Sequence, residues 1–182
     1  MSASNLRTFV AYVEDKPGVL NRVASLFRRR GYNIVSLNVG RTHEPGVSRM
    51  TFVVESDEIV AHLIESNLYK LVNILAVEDI THKASVVRDL ALIKVSVSPE
   101  RRNEVLQLVE VFRARVVDIG PDSLVAEISG SPDKIEAMVG CLAPFGILEM
   151  VQTGQVAMTR GTAGDAARIA HGQNSDSVVT AA

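Results

Sequence analysis

Apolar residues alternate over 7–14, with Phe9, Ala11 and Val13 on one face and Val10 and Tyr12 on the other, which predicts a central β-strand. From 17 to 30 the period lengthens: Leu20, Val23, Ala24 and Phe27 recur at helical spacing, and Gly31 can supply a left-handed C-terminal cap. Alternation returns over 33–40 with Val35, Leu37 and Val39. After Glu44-Pro45-Gly46 it resumes with Met50, Phe52 and Val54, so these two segments predict a hairpin. Ser56 and Asp57 cap a helix carrying Ile59, Val60, Leu63 and Ile64, and 74–81 supplies a last strand. The order is βαββαβ.

The same order then repeats: strand 90–97, helix 99–114, strands 115–119 and 124–129, helix 132–142, strand 147–158. Pro99 and Pro132 stand at helix starts as Pro17 does. The pattern predicts an α+β protein of two tandem ferredoxin-like βαββαβ domains, 5–83 and 88–160, with a boundary near 83–88. Residues 161–182 carry no sustained apolar periodicity and are expected to form a disordered tail. Halves this small bury little core each, which favours a shared interface. The second strand of each half, 33–40 in the first, is an edge that can pair with its copy in another subunit, and it is expected to begin beside the turn at residues 15–20.

That turn, Asp15-Lys16-Pro17-Gly18-Val19-Leu20, carries the most chemistry in the chain. Proline near the first helical position has its φ preset, and Gly18 leaves the backbone open to close approach. The amides of Gly18, Val19 and Leu20 are expected to be free at a helix N-terminus, where the dipole favours a carboxylate or phosphate by about 0.3 to 1 kcal/mol per exposed contact. Asp15 beside them can hold an ammonium and would repel a phosphate, so a free α-amino acid fits best. The competing reading is a Pro-Gly turn that only starts a helix.

Composition narrows the field. Of 182 residues 47% are hydrophobic, and 19 Lys and Arg against 21 Asp and Glu give a net charge of -2, without the basic excess of a nucleic-acid binder. Cys141 is the single cysteine, so no intrachain disulfide forms. Met1-Ser2-Ala3-Ser4-Asn5 lacks the basic and apolar regions of a signal peptide, and no apolar run is long enough for a bilayer, so a cytoplasmic protein without membrane contact is expected.

Catalytic constellations are missing from the sequence pattern. His43, His62, His82 and His171 are scattered without metal-ligand spacing, so no metal site is expected. Cys141 shares a helix face with Met138 and Leu142, as a small buried hydrophobe. The adjacent carboxylates Glu14-Asp15, Asp57-Glu58 and Glu78-Asp79 diverge from one another in a strand or helix. No phosphate loop or dinucleotide fingerprint occurs, and Arg28-Arg29-Arg30 suits the solvated C-terminal end of a helix dipole.

Asp15 to Leu20, followed by Arg29-Arg30-Gly31-Tyr32-Asn33-Ile34, resembles the ACT domain of the small regulatory subunit of acetolactate synthase (acetohydroxyacid synthase). Further likenesses follow in order: Ser48-Arg49-Met50-Thr51, Leu68-Tyr69-Lys70-Leu71-Val72, Phe112-Arg113-Ala114-Arg115-Val116-Val117-Asp118, Gly146-Ile147-Leu148-Glu149, Thr153-Gly154 and Arg160-Gly161. The resemblance implies a non-catalytic chain that dimerises through its ACT domains. It would bind and activate the catalytic large subunit, which condenses two pyruvates or pyruvate with 2-oxobutyrate, and confer feedback inhibition by valine or another branched-chain amino acid. It implies no cofactor in this chain, with thiamine diphosphate, Mg and FAD in the catalytic partner.

Carried over by motif, the effector-binding residues are Asp15, Gly18, Val19 and Leu20 in the loop, with Asn33 and Ile34 given by the neighbouring subunit. The chain departs from the family at Asp15, where Asn is frequent, and at Pro17, where Ser or Ala is. In the second half Ser98-Pro99-Glu100-Arg101 stands where the ligand turn would be, and Glu100 disfavours an anion there, so that half is assigned to dimer or partner contacts. The alternatives are an ACT sensor of another biosynthetic enzyme, an autonomous enzyme on the same fold, and a transcriptional sensor, which would need a recognition helix.

Overall fold

The computed structural model describes residues 6–161. Met1-Ser2-Ala3-Ser4-Asn5 and, beyond Gly161, the expected tail lie outside the described residues. Two compact units result: 6–86 together with 157–161, and 87–156.

The first unit runs β1 (Leu6–Glu14), α1 (Val19–Arg30), β2 (Ile34–Arg41), β3 (Val47–Glu55), α2 (Glu58–Leu68) and β4 (Ile74–Asp79). Its antiparallel sheet has the order β2-β3-β1-β4, so β2 is an edge. Phe9, Ala11, Val13, Met50, Phe52 and Val54 from one sheet face meet Val19, Val23, Leu26 and Phe27 of α1 and Ala61, Ile64 and Leu68 of α2. At its centre the Phe27 ring stands edge-on to Phe52, 5.3 Å between centroids, and Phe52 stacks on Phe9. The buried stripe of α1 therefore contains Val19 and Leu26, whereas Leu20, expected inside, is 44% exposed. Val19 and Leu20 fit the helical spacing to Val23 equally well, and only the sheet beneath decides which stripe faces in.

Helix ends follow the local chemistry. Gly31, at φ 71°, closes α1 with its N–H on Arg28 O, while Tyr32 N–H reaches Phe27 O. Asp57 caps α2 by accepting from Val60 N–H at 2.8 Å. The Tyr69 hydroxyl both donates to Val77 O and accepts from Val77 N–H, which satisfies part of the outer edge of β4.

The second unit repeats the plan: β5 (Ser85–Ser96), a 3-10 turn at Pro99–Arg101, α3 (Arg102–Val111), β6 (Arg115–Ile119), β7 (Ser123–Gly130), α4 (Pro132–Leu142) and β8 (Ile147–Gln152). The strand order β6-β7-β5-β8 is that of the first sheet. Even the irregularities recur. The register shift that leaves out Val35 in β2 returns at Val117 in β6, and the one at Leu75 in β4 returns at Leu148 in β8.

Two expectations need correction. The strand expected over 147–158 is two, β8 and β9 (Val156–Thr159); β9 pairs with β5, and Arg160 N–H donates to Ala84 O at 2.7 Å. Thr153 and Gly154 break the run, and the Thr153 hydroxyl and amide are spent on Leu90. Cys141 is exposed, because the buried stripe of α4 is Ile135, Met138 and Leu142 and leaves position 141 at its margin.

Candidate functional site

The turn between β1 and α1 is built by backbone bonds that leave its crown open. Asp15 N–H donates to Gly46 O at 2.8 Å, which ties the turn to the β2–β3 hairpin, and Lys16 N–H donates to Glu14 O. Gly18 sits at the N-cap with φ 84°, a left-handed conformation that a side chain resists, and a Cβ there would meet nothing within 4 Å. No side chain caps α1. Val19 N–H reaches Lys16 O at 3.4 Å, so of the three amides expected to be free this one is partly used. The Gly18 and Leu20 amides have no backbone partner among the described residues.

Beneath the turn lies a polar brace. Asn73, 8% exposed, accepts from Arg22 Nη1 and donates to Glu14 Oε2, while Glu14 also pairs with Lys16 at 3.0 Å. These partners, Asn73 first and Lys16 second, hold the Glu14 carboxyl below the usual glutamate value. The Asp15 carboxylate takes a different neighbour, Arg41 at the end of β2, with Nε 3.2 Å from Oδ2. Neither Asn73 nor Arg41 was singled out by sequence. Each is far from the turn in sequence, and only the sheet register brings it close.

Asn33 and Ile34 lie elsewhere. Glu14 pairs with Val47 and Ile34 with Val54, seven residues further along β3, so the start of β2 is roughly 23 Å from the turn within one chain. This corrects the expectation that β2 begins beside the turn: β2 runs parallel to β1, so it ends there. Asp15, Gly18, Val19 and Leu20 are together, and Asn33 and Ile34 are at the opposite end of the sheet.

The corresponding turn of the second unit carries different chemistry. Ser98 there hydrogen-bonds Glu100 and lowers its pKa, and the Arg101 guanidinium lies 4.3 Å from the Phe145 ring centroid while pairing with Glu104. Among the described residues no group of three or more His, Cys, Asp or Glu is arranged to hold a metal ion, and no helix is long and apolar enough to cross a membrane.

A duplicated βαββαβ fold, with an open glycine turn beside one end of a free edge strand in its first half, defines an ACT-domain protein. Residues 9–76 match the AHAS small subunit-like ACT domain, and residues 88–161 match the family described as the small subunit of acetolactate synthase. The chain is 48% identical over 154 residues to a probable acetolactate synthase small subunit of Archaeoglobus fulgidus, covering 85% of this chain and 96% of that one. It is 49% identical over 149 residues to the acetolactate synthase small subunit of Aquifex aeolicus, covering 81% and 78%. The crystal structure of the acetolactate synthase small subunit from Thermotoga maritima superposes with a TM-score of 0.80 at 38% identity, over 86% of this chain and 98% of that one. The chain belongs to the acetolactate synthase small-subunit family.

Proposed function

We propose that this chain regulates a cytoplasmic acetolactate synthase: it binds and activates the catalytic large subunit and makes it sensitive to valine or another branched-chain amino acid. Catalysis, with thiamine diphosphate, Mg and FAD, belongs to the large subunit in this reading. The observation that carries it is the Gly18 turn, with its open amides beside a carboxylate, at the end of an edge strand. The effector carboxylate meets the Gly18 and Leu20 amides, and its ammonium meets Asp15.

The sheet register supports a shared site. Antiparallel two-fold pairing of β2 with the same strand of a second copy sets the start of one strand against the end of the other. The partner's Asn33 and the partner's Ile34 then reach the Asp15 turn that their own chain holds far away. Effector binding thus favours one arrangement of the dimer, and unequal affinity for two states supplies the usual coupling of about 1 to 3 kcal/mol to the catalytic subunit. The second unit, with Leu148 and Val151 exposed on β8, is assigned to partner contacts.

Calorimetric titration with valine, leucine and isoleucine, followed by reconstitution with the catalytic subunit, tests the proposal. Gly18→Asp places a carboxylate where the ligand's own belongs, in open space and in a backbone conformation that Asp tolerates better than most residues. It is expected to abolish inhibition and preserve activation. A variant as sensitive as wild type refutes the site, and acetolactate formation by this chain alone on pyruvate refutes the regulatory role.

A further inference from the structure

We propose that Arg41 binds the effector's carboxylate, with Asp15 as the residue that orients it; this rests on the effector site proposed above. A cleft of about 410 Å³ opens between the Asp15 turn and the hairpin turn at 42–47, and Arg41, His43 and Glu44 line it. The cleft has a firm frame. Thr42 N–H donates to Val47 O at 3.0 Å, the Thr42 hydroxyl accepts from Glu44 N–H at 3.1 Å, and Asp15 N–H is held by Gly46 O.

The Asp15–Arg41 pair is poorly suited to bracing the fold. Its side chains are 39% and 86% exposed, and solvent screens such a pair until it adds little stability. It does solve a problem of the site. A bare aspartate beside the Gly18 amides would repel the carboxylate those amides attract, and Arg41 offsets that charge. A guanidinium carries five N–H donors, and its contact with Asp15 runs through Nε. The Arg41 side chain is largely exposed and lines the cleft, and the planar fork of a guanidinium matches a carboxylate. Asp15 retains a second oxygen for the ammonium. Together Asp15 and Arg41 make a zwitterion-matched pair of charges.

Three probes separate the two ends of the ligand: valine, 3-methylbutanoate, which lacks the amino group, and isobutylamine, which lacks the carboxylate. Calorimetry on the full chain compares wild type, Arg41→Met, Arg41→Lys and Gly18→Asp. Arg41→Met is expected to weaken valine about tenfold, the loss of one charged hydrogen-bonding partner. It should weaken 3-methylbutanoate at least as much and leave isobutylamine unchanged or tighter, because Asp15 is released; Arg41→Lys recovers part of the loss. Valine binding that is unchanged or tighter in Arg41→Met, while Gly18→Asp abolishes it, overturns the role of Arg41 and leaves the effector site standing. Valine binding that survives Gly18→Asp overturns the site itself, and the Arg41 assignment with it.

Discussion

Arg49 of β3 donates through Nη2 to the carbonyl of Ala157, more than a hundred residues later in the chain. The guanidinium also donates to Thr51 Oγ1 at 3.0 Å and lies over the Tyr12 ring, 5.8 Å from its centroid. Ala157 is 2% exposed, and Arg160 is pinned to Ala84 by its amide. The last described strand therefore completes the first unit, which gives Ser48-Arg49-Met50-Thr51 and Arg160-Gly161 one structural explanation: they are two sides of the same fastening.

Arg49→Met keeps an aliphatic side chain at this position but removes the guanidinium from Tyr12 and leaves Ala157 O without its charged donor. The expected cost is about 1 to 3 kcal/mol, the penalty of a buried acceptor losing a charged partner. Hydrogen exchange should locate it: amides of 157–160 lose protection, while those of β6 and β7 keep theirs. Uniform loss over both units would mean that Arg49 is not a local fastening.

The two halves close their first helix with different residues in the same conformation. Gly31 ends α1 at φ 71°, whereas Arg113 follows α3 at φ 49°, with Ala114 N–H returning to Val109 O as Tyr32 N–H returns to Phe27 O. A side chain in the left-handed region costs about 1 to 2 kcal/mol, and glycine gives part of this back through its freedom in the unfolded chain. Arg113→Gly is expected to stabilise the second unit by about 0.5 to 1 kcal/mol, and Gly31→Ala to destabilise the first by about 1 kcal/mol. Denaturant melts with a probe in each unit would show the opposite signs, and equal signs would contradict the comparison.

Much of this architecture is legible in residue spacing, because βαββαβ order needs only the change from period two to helical period and back. The repeat and the Asp57 cap follow from local pattern, and the edge position of 33–40 follows once the element order is read as ferredoxin-like. What local pattern omits is direction. That β2 ends, not begins, beside Asp15 depends on strand order, and it determines that Arg41 and not Asn33 is the same-chain neighbour. Asn73 and Ala157 were hidden for the same reason, since a polar residue after a helix and an alanine late in the chain carry no periodic mark. Leu20 and Cys141 show the limit of helical faces: a stripe one position wide of the true one has the same spacing.

Glu14 provides a pH test of the brace beneath the turn. Its carboxyl is held below the ordinary glutamate value first by Asn73 and then by Lys16. A depressed folded value means the ionised form is favoured in the native state. The stabilisation is present above the unfolded value and is lost as pH falls through the folded one. NMR titration of the Glu14 side chain should therefore place its midpoint below the ordinary glutamate value, and Asn73→Leu should move it upward. A midpoint unaffected by Asn73→Leu would show that Lys16 alone sets it. Because Asn73 also holds Arg22 on the first turns of α1, the variant is expected to loosen α1 and weaken effector binding.

The edge of β2 makes the final prediction, which joins assembly to ligand binding. Val35 and Val39 are 52% and 40% exposed on a strand whose outer edge has no partner among the described strands. Two apolar residues on an open edge invite pairing, and lysine there is the common device against it. In a two-fold β2 pair, lysines at both positions bring four like charges to one seam while leaving the Phe9, Phe27 and Phe52 core untouched. Val35→Lys/Val39→Lys is expected to sediment as a folded monomer with an unchanged far-ultraviolet spectrum. It should also lose branched-chain amino-acid binding, although Asp15, Gly18 and Arg41 are all intact, because Asn33 of the partner subunit is gone. A monomer that still binds valine with wild-type affinity would place the whole site within one chain, and a dimer that persists would move the interface off β2.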